Sequence, residues 1–470
     1  METLQRTANR GSISTGYDID NSLKLEADNA EYLERGFGSI GTPTSDQKAT
    51  ISLWVKRTEL QPSGNHICFI GYATNTMILG FNNDRLSAHF SHPAGTNLKS
   101  SAVFRDTSAW YHLVWAFDTT QATASNREKM YVNGVQITAF DTETYPTQNS
   151  GVGLWEVNMG HYIGWSDAQC QSGYHAEIYL IDGQQLAPTD FGEFDADTGI
   201  WKPKEYTGTF GNEGYYLNFS NSADLREDSS GNSNNFTAAY NITSADQATD
   251  TPTNNFATNN PLAQNDMNPL QGATQWTHNN ASDWESSIST IGVTKGKWYF
   301  EASMDSTGNF IGIIANNGIT SSLNCMDTYI GDRLDTQNAG IGYHGAGNVF
   351  QNDGFTSGMP SYGGGNIISC ALDMDNGYVY FAKNGSWINS GDPTSGSSGT
   401  GGWAVYDTSD IQFFATSIYS TSDNIKCNWG GFTIYSIASG NADANGYGNF
   451  EYAPPTGYYA LCSKNLAEFG

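Results

Sequence analysis

The sequence predicts an all-β chain built from two antiparallel β-sandwiches in series. Composition is the first reason. Gly (52), Tyr (26), Phe (23) and Trp (12) are heavily used while charged residues reach only 15%, a balance that favours pleated sheets joined by glycine turns. No stretch carries sustained apolar residues at helical spacing. The second reason is a hairpin signature that occurs twice, about 250 residues apart. Trp110-Tyr-His-Leu-Val-Trp-Ala-Phe-Asp118 is followed by Met130-Tyr-Val-Asn-Gly134, and Asn366-Ile-Ile-Ser-Cys-Ala-Leu-Asp373 by Tyr378-Val-Tyr-Phe-Ala-Lys-Asn-Gly385. Alternation predicts a strand with one face buried, and Asn-Gly supplies the positive φ angles of a tight turn.

In chain order, residues 1–20 are polar and small, without periodicity, and read as an N-terminal arm. Such an arm either docks on a partner subunit or lies along its own domain, with Tyr17 and Ile19 as anchors. The first sandwich spans 21–219. Ile51–Lys56 alternates, Met77–Phe81 and Ala88–Phe90 flank an Asn82–Asp84 turn, and Trp110–Asp118 and Met130–Val132 follow. His161–Gly164, Ala176–Ile181 and Tyr215–Phe219 complete it. Residues 220–272 turn to Asn, Ser, Thr, Asp and Ala and read as a long polar linker. The second sandwich spans 273–470, with Lys297–Glu301, Ile311–Ile314, Ala339–Tyr343, the Asp373 hairpin and Ile411–Ala415 as strands. The Asp373–Gly377 stretch reads as that hairpin's turn; an EF-hand is excluded because its twelfth position is Asn384.

Charge and cysteine usage exclude several classes of function. With 21 basic against 48 acidic residues, a net charge of −27 and a pI near 4.4, the chain repels phosphate backbones, so no nucleic-acid partner is expected. Acidity of this kind suits solubility at high ionic strength. The six cysteines lack metal-ligand spacing and read as reduced core residues. No apolar run has the length of a membrane span or a signal-peptide core, so neither membrane insertion nor export by that route is expected.

The first block resembles the laminin-G/concanavalin-A-like domain of tailed-phage structural proteins. The matching residues are Asn21–Leu25 with Ala30–Leu33, Ile51–Arg57, Trp110–Trp115, Tyr131–Gly134 and Ala176–Tyr179. Phe191–Phe194, Thr198–Pro203, Asp228–Asn232 and Asp250–Asn254 extend the likeness. The second block resembles a SPRY domain through Lys297–Glu301, Gly340–Tyr343, Ala371–Gly377, Val379–Gly385 and Asn449–Gly457. The resemblance implies a concanavalin-like jelly roll and then a SPRY-like sandwich. Both are folds on which binding sites are placed.

It further implies a non-enzymatic protein on the exterior of a virion, made in the host cytoplasm and associated with other virion proteins as a homo-oligomer. The expected role is a tail or fibre adhesin that binds host-surface glycan or protein. The alternatives are a capsid decoration or head-fibre protein and, from the enzyme class, a glycan depolymerase.

Three sets of residues are candidates for chemistry. Trp155, Tyr162 and Trp165, near glycine-rich turns, could stack on the C–H faces of sugars, with core packing as the competing reading. Glu193 and Asp195 resemble part of the Glu-x-Asp-x-x-Glu strand of laminarinase-type glucanases, which use two carboxyls about 5 Å apart. The closing Glu is absent, since Thr198 and Gly199 follow Asp197. Asp182, Asp195 and Asp197 could instead join a calcium site, which requires six to eight oxygen ligands. No other cofactor is expected.

Overall fold

The computed structural model describes residues 16–470 apart from 37, 61–64, 73–75, 91–95, 152, 156–158, 167–168, 264–266, 280–282, 321–327, 332–339 and 352–353. It is an antiparallel, nearly all-β fold, and the chain divides into two compact units between Thr253 and Asn254.

Among the described residues, the first unit is a sandwich of two eight-stranded sheets. In the first sheet Lys48–Arg57 is flanked by Trp110–Asp118 and Gly173–Asp182, in register Ser52↔Val114 and Ser52↔Tyr179. In the second sheet Thr76–Asn82 is central, with Tyr32–Arg35, Gly160–Ile163, Arg85–Phe90 and Thr96–Val103 in the same sheet. Alternate residues of the two sheets, among them Ile51, Leu53, Trp115, Leu180, Phe69, Leu79 and Phe90, meet in one fully buried core. The Asn-Gly turn is formed as expected: Asn133 (φ 47°) and Gly134 (φ 79°) join Glu128–Val132 to Val135–Gln136. A side chain at Gly134 would also strike the Trp201 ring.

The central strands of the first sheet differ from the expected one-sided burial. Lys48–Arg57 is buried at all but its first residue, and Trp110–Asp118 and Gly173–Asp182 along their whole lengths. Their polar face lies under a roof formed by the chain beyond Asp182. There Thr50 donates to the Gln184 carbonyl at 2.9 Å, and His112 sits between Trp54 (ring centroids 4.7 Å) and Trp201 (5.8 Å). Trp201 Nε1 donates to His112 Nδ1 at 3.0 Å, which leaves the proton on Nε2, 2.8 Å from Ser52 Oγ. Burial holds His112 down at about 3, as it does His161 and His175.

The polar stretch 220–272 is not a linker. Ala238–Tyr240 pairs with Tyr32–Arg35 and Gln247–Ala248 with Ser22–Leu25, so residues up to Thr253 belong to the first unit. The physical reason is charge. Lys24 and Lys56 are wholly buried; Asp246 lies 2.7 Å from Lys24 and Asp250 2.7 Å from Lys56. Residues 16–20 also belong to this unit. The Tyr17 hydroxyl donates to the buried Glu177 at 2.7 Å, and Ile19 exchanges two 3.0 Å hydrogen bonds with Thr253 Oγ1. Residues 1–15 of the expected arm lie outside the described residues.

The second unit has, among the described residues, a nine-stranded and a six-stranded sheet. Lys297–Met304 pairs with Asn366–Asp373, which turns through residues 374–377 into Tyr378–Lys383. Asp373 accepts from the Asn376 amide at 2.9 Å and from Lys297 at 2.9 Å, confirming a hairpin turn at this position. Phe300 stacks on Trp429 at 4.5 Å in the core. Buried Glu301 accepts from the Tyr299 and Tyr435 hydroxyls and from the amides of Glu451 and Tyr452. Cys68, Cys370, Cys427 and Cys462 are buried free thiols and Cys170 is half-buried; Cys325 lies outside the described residues. Among the described residues no helix is long and apolar enough to cross a membrane.

Two outcomes follow. Asp250→Ala removes the carboxylate 2.7 Å from the buried Lys56 ammonium, and is expected to cost about 3–5 kcal/mol in urea unfolding. The three buried histidines each oppose the fold of the first unit in acid. An unfolded histidine protonates near 6.5, whereas these hold out to about 3. Below pH 6.5 the unfolded chain therefore binds protons that the native chain refuses. Their contribution to stability falls as pH drops from 6.5 towards 3, at up to about 4 kcal/mol per pH unit for the three together. His112→Gln should flatten that slope by about 1.4 kcal/mol per unit, read from unfolding midpoints across this pH range.

Candidate functional site

Strand Tyr32–Arg35 alternates, with Leu33 and Arg35 buried and Tyr32 and Glu34 half-buried. Tyr162 lies across from Glu34 on one neighbouring strand, while Ala238 and Tyr240 lie across from Glu34 and Tyr32 on the other. Beyond Ile163 the chain turns at Gly164 (φ 83°), where a side chain would run into Leu25 Cδ1. That turn carries Trp165 against Tyr162, with ring centroids 4.6 Å apart, and within 5.6 Å of Tyr32. Tyr240 stacks on Tyr32 at 4.2 Å and is 41% exposed. Four aromatic rings therefore form one continuous cluster on this sheet, in which Tyr162 is buried and Tyr240 is exposed.

Glu34 gives the patch its polarity. Its Oε1 accepts from the Tyr162 hydroxyl at 3.5 Å. The neighbouring Glu34 carboxylate raises the Tyr240 phenol, and burial pushes Tyr32 up to about 12. The phenols thus remain protonated donors at neutral pH. Strand Ala238–Tyr240 is fastened here by Thr237, whose amide and hydroxyl donate to the Glu34 carbonyl at 2.7 and 3.1 Å.

Of the three aromatic residues singled out in the sequence, the structure brings Tyr162 and Trp165 together and leaves Trp155 apart. Trp155 is buried in the sandwich core, edge-on to His161 at 5.8 Å. Tyr32, Glu34 and Tyr240 were missed. Tyr32 and Glu34 carry a local signal, since they alternate with Leu33 and Arg35. Tyr240 carries none, because its place depends on a strand pairing across more than 200 residues.

The acidic candidates serve the backbone. Gly192–Phe194 and Trp201–Pro203 form a two-stranded ribbon, and Lys202 Nζ lies 3.3 Å from both Glu193 and Asp195. Asp195 accepts from the Thr198 amide and hydroxyl, both at 3.0 Å, and from the Asp197 amide at 3.1 Å. Those Thr198 bonds hold its carboxyl down at about 2. A hydrolytic acid needs the opposite shift. Glu193 and Asp197 are exposed. Asp182 is buried and consumed by the amides of Thr44 (2.6 Å), Ser45 (3.1 Å) and Glu213 (3.1 Å). The expected calcium trio does not converge: among the described residues no group of three or more His, Cys, Asp or Glu side chains is placed to hold a metal.

Residues 35–174 match the Concanavalin A-like lectin/glucanases superfamily, and residues 297–394 match the SPRY domain. The chain thus carries a concanavalin-like domain followed by a SPRY domain. ATP-dependent RNA helicase DDX1 of Xenopus laevis is 32% identical over 103 residues, which make up 22% of this chain and 12% of the helicase. The chain therefore spans about an eighth of that relative's length. Among solved structures, the SPRY domain of human HERC1 is 18% identical and covers 36% of this chain and 96% of its own, with a TM-score of 0.28. Domains LG4-5 of the mouse laminin alpha1 chain are 11% identical and cover 86% of this chain and 84% of their own, with a TM-score of 0.29.

Asp182→Ala strips three amides of their acceptor and should cost about 3 kcal/mol in urea unfolding. If Asp182 acts through those amides alone, calcium or a chelator leaves the unfolding midpoint of the unmodified chain in place.

Proposed function

We propose that this chain is a non-enzymatic protein on the exterior of a tailed-phage particle, acting as a tail or fibre adhesin that binds host-surface glycan or protein. One observation carries the reading: the Tyr32–Tyr162–Trp165–Tyr240 patch gathered about Glu34 on a concanavalin-like domain. Aromatic faces offer apolar contact to sugar C–H groups, and the phenol and carboxylate oxygens offer hydrogen bonds to hydroxyls. Two domains of a binding type in one chain support the same reading. So does an acidic surface, which disfavours capture by nucleic acid released at lysis. Partners in this reading are other virion proteins, including further copies of the chain.

The turn that confines Glu193 and Asp195 weighs against a depolymerase. Mass spectrometry of purified particles is expected to find the chain, and the purified protein is expected to bind host cells. Its absence from particles overturns the virion assignment, and failure to bind cells overturns the adhesin role. A label on the chain should sit on the tail; a label over the head instead assigns it to capsid decoration or a head fibre.

A further inference from the structure

We infer that Lys24 and Asp246 are joined by an intramolecular isopeptide bond, formed by attack of the Lys24 amine on the Asp246 carboxyl with Glu31 as the proton carrier. The site lies wholly within the first unit and is independent of the binding role proposed above.

Three buried side chains meet at this site. Lys24, on strand Ser22–Leu25, has its Nζ 3.0 and 2.8 Å from the two carboxylate oxygens of Glu31 and 2.7 Å from Oδ1 of Asp246. The carbon to be attacked, Asp246 Cγ, is one bond beyond Oδ1, so nucleophile and target are already adjacent. Each carboxyl is also held by donors of its own. Asn29 Nδ2 donates to Glu31 Oε1 at 3.1 Å. On Asp246 the other oxygen, Oδ2, accepts from the Thr243 amide at 2.7 Å and from the Thr243 hydroxyl at 3.1 Å. These two donors leave Oδ1 facing the lysine, and they are aimed at the oxygen on which negative charge develops when Cγ is attacked.

Burial favours the reaction as well as the geometry. An ion pair in the interior holds two charges away from water, at a cost that a neutral amide does not carry. Bulk water, which opposes condensation at an open site, is kept out. The protons balance within the three residues. Lys24 Nζ passes one proton to Asp246 Oδ1 and attacks Cγ as the neutral amine, so that a C–N bond forms and charge collects on Oδ2. Glu31 takes a second proton from Nζ and returns it to Oδ1, which leaves as water when the C–O bond breaks. An ammonium and a carboxylate become an amide and one water, with Glu31 regenerated and no other reagent consumed. Burial raises the Glu31 carboxyl above its ordinary value, which suits a group that must both take up and release a proton.

The test is the intact mass of the full purified chain under denaturing conditions, followed by mapping of its proteolytic peptides. The wild-type chain is expected to be lighter than its sequence by one water, with the segments around Lys24 and Asp246 recovered as a single branched peptide. Glu31→Gln keeps the side chain's shape and is expected to show a folded circular dichroism spectrum, the full sequence mass and no branched peptide. On a denaturing gel the wild-type chain should run ahead of that variant, because the bond closes a loop of more than 200 residues. It should also unfold at a higher temperature, since a covalent link across so long a loop restricts the unfolded chain as a disulfide does. A wild-type mass equal to that of the sequence, the lost water mapped to other residues, or a cross-link undiminished in Glu31→Gln each overturns the inference. The first of these outcomes leaves Lys24 in an unreacted ion pair with Glu31 and Asp246. The wild-type mass and peptide map need no variant, so the inference can be overturned even if Glu31→Gln fails to fold.

Discussion

Two lysines with no access to water govern the first unit. Lys24 and Lys56 lie on the face of the first sheet that points away from the sandwich core, and their side chains are completely covered. An ammonium removed from water costs several kcal/mol unless a carboxylate meets it. Lys24 meets Glu31 (2.8 Å) and Asp246 (2.7 Å), while Asp250 meets both Lys56 (2.7 Å) and Trp110 Nε1 (3.1 Å). Asp246 and Asp250 come from a segment whose composition alone resembles a linker. Neutralising the lysines requires that segment to return across the sheet, and its route lays Gln247–Ala248 beside Ser22–Leu25 and Ala238–Tyr240 beside Tyr32–Arg35. The second of these pairings delivers Tyr240 to the aromatic patch. Charge burial on one sheet thus assembles a site on the other.

The same roof explains why polar residues are so deeply buried in the first sheet. Ser52, His112 and Trp201 form a chain of donors and acceptors in which each group has its partner, and burial keeps the imidazole neutral with Nδ1 already an acceptor. Asp182 and Asp195 follow the same logic in loops, where each gathers backbone amides that would otherwise lack partners. These carboxylates are used up by the fold. Glu34 differs from them: its carboxylate accepts from the Tyr162 hydroxyl at 3.5 Å and not from a backbone amide that the loop must satisfy.

The site was half legible in the sequence. Tyr162 and Trp165 stand three residues apart around a glycine, and local spacing sufficed to place them together. Trp155 had the same apparent credentials but points into the core, because orientation on a loop is decided by what the opposite sheet leaves unfilled. Tyr32 and Glu34 could have been read from alternation in Tyr32–Arg35, once that short run was recognised as a strand.

By itself the sequence determined the class of fold, the two hairpins and the positions of their turns. These depend on residue alternation and on the φ angles of Asn-Gly, both properties of a few consecutive residues. It also determined that the Glu193–Asp197 stretch lacks the closing Glu of the glucanase strand. Only the tertiary structure decided that residues 220–253 belong to the first unit, that the central strands are buried on both faces, and that Tyr240 meets Tyr32. The first and last of these outcomes pair groups about 200 residues apart, and no local pattern records which distant carboxylate a buried lysine will find.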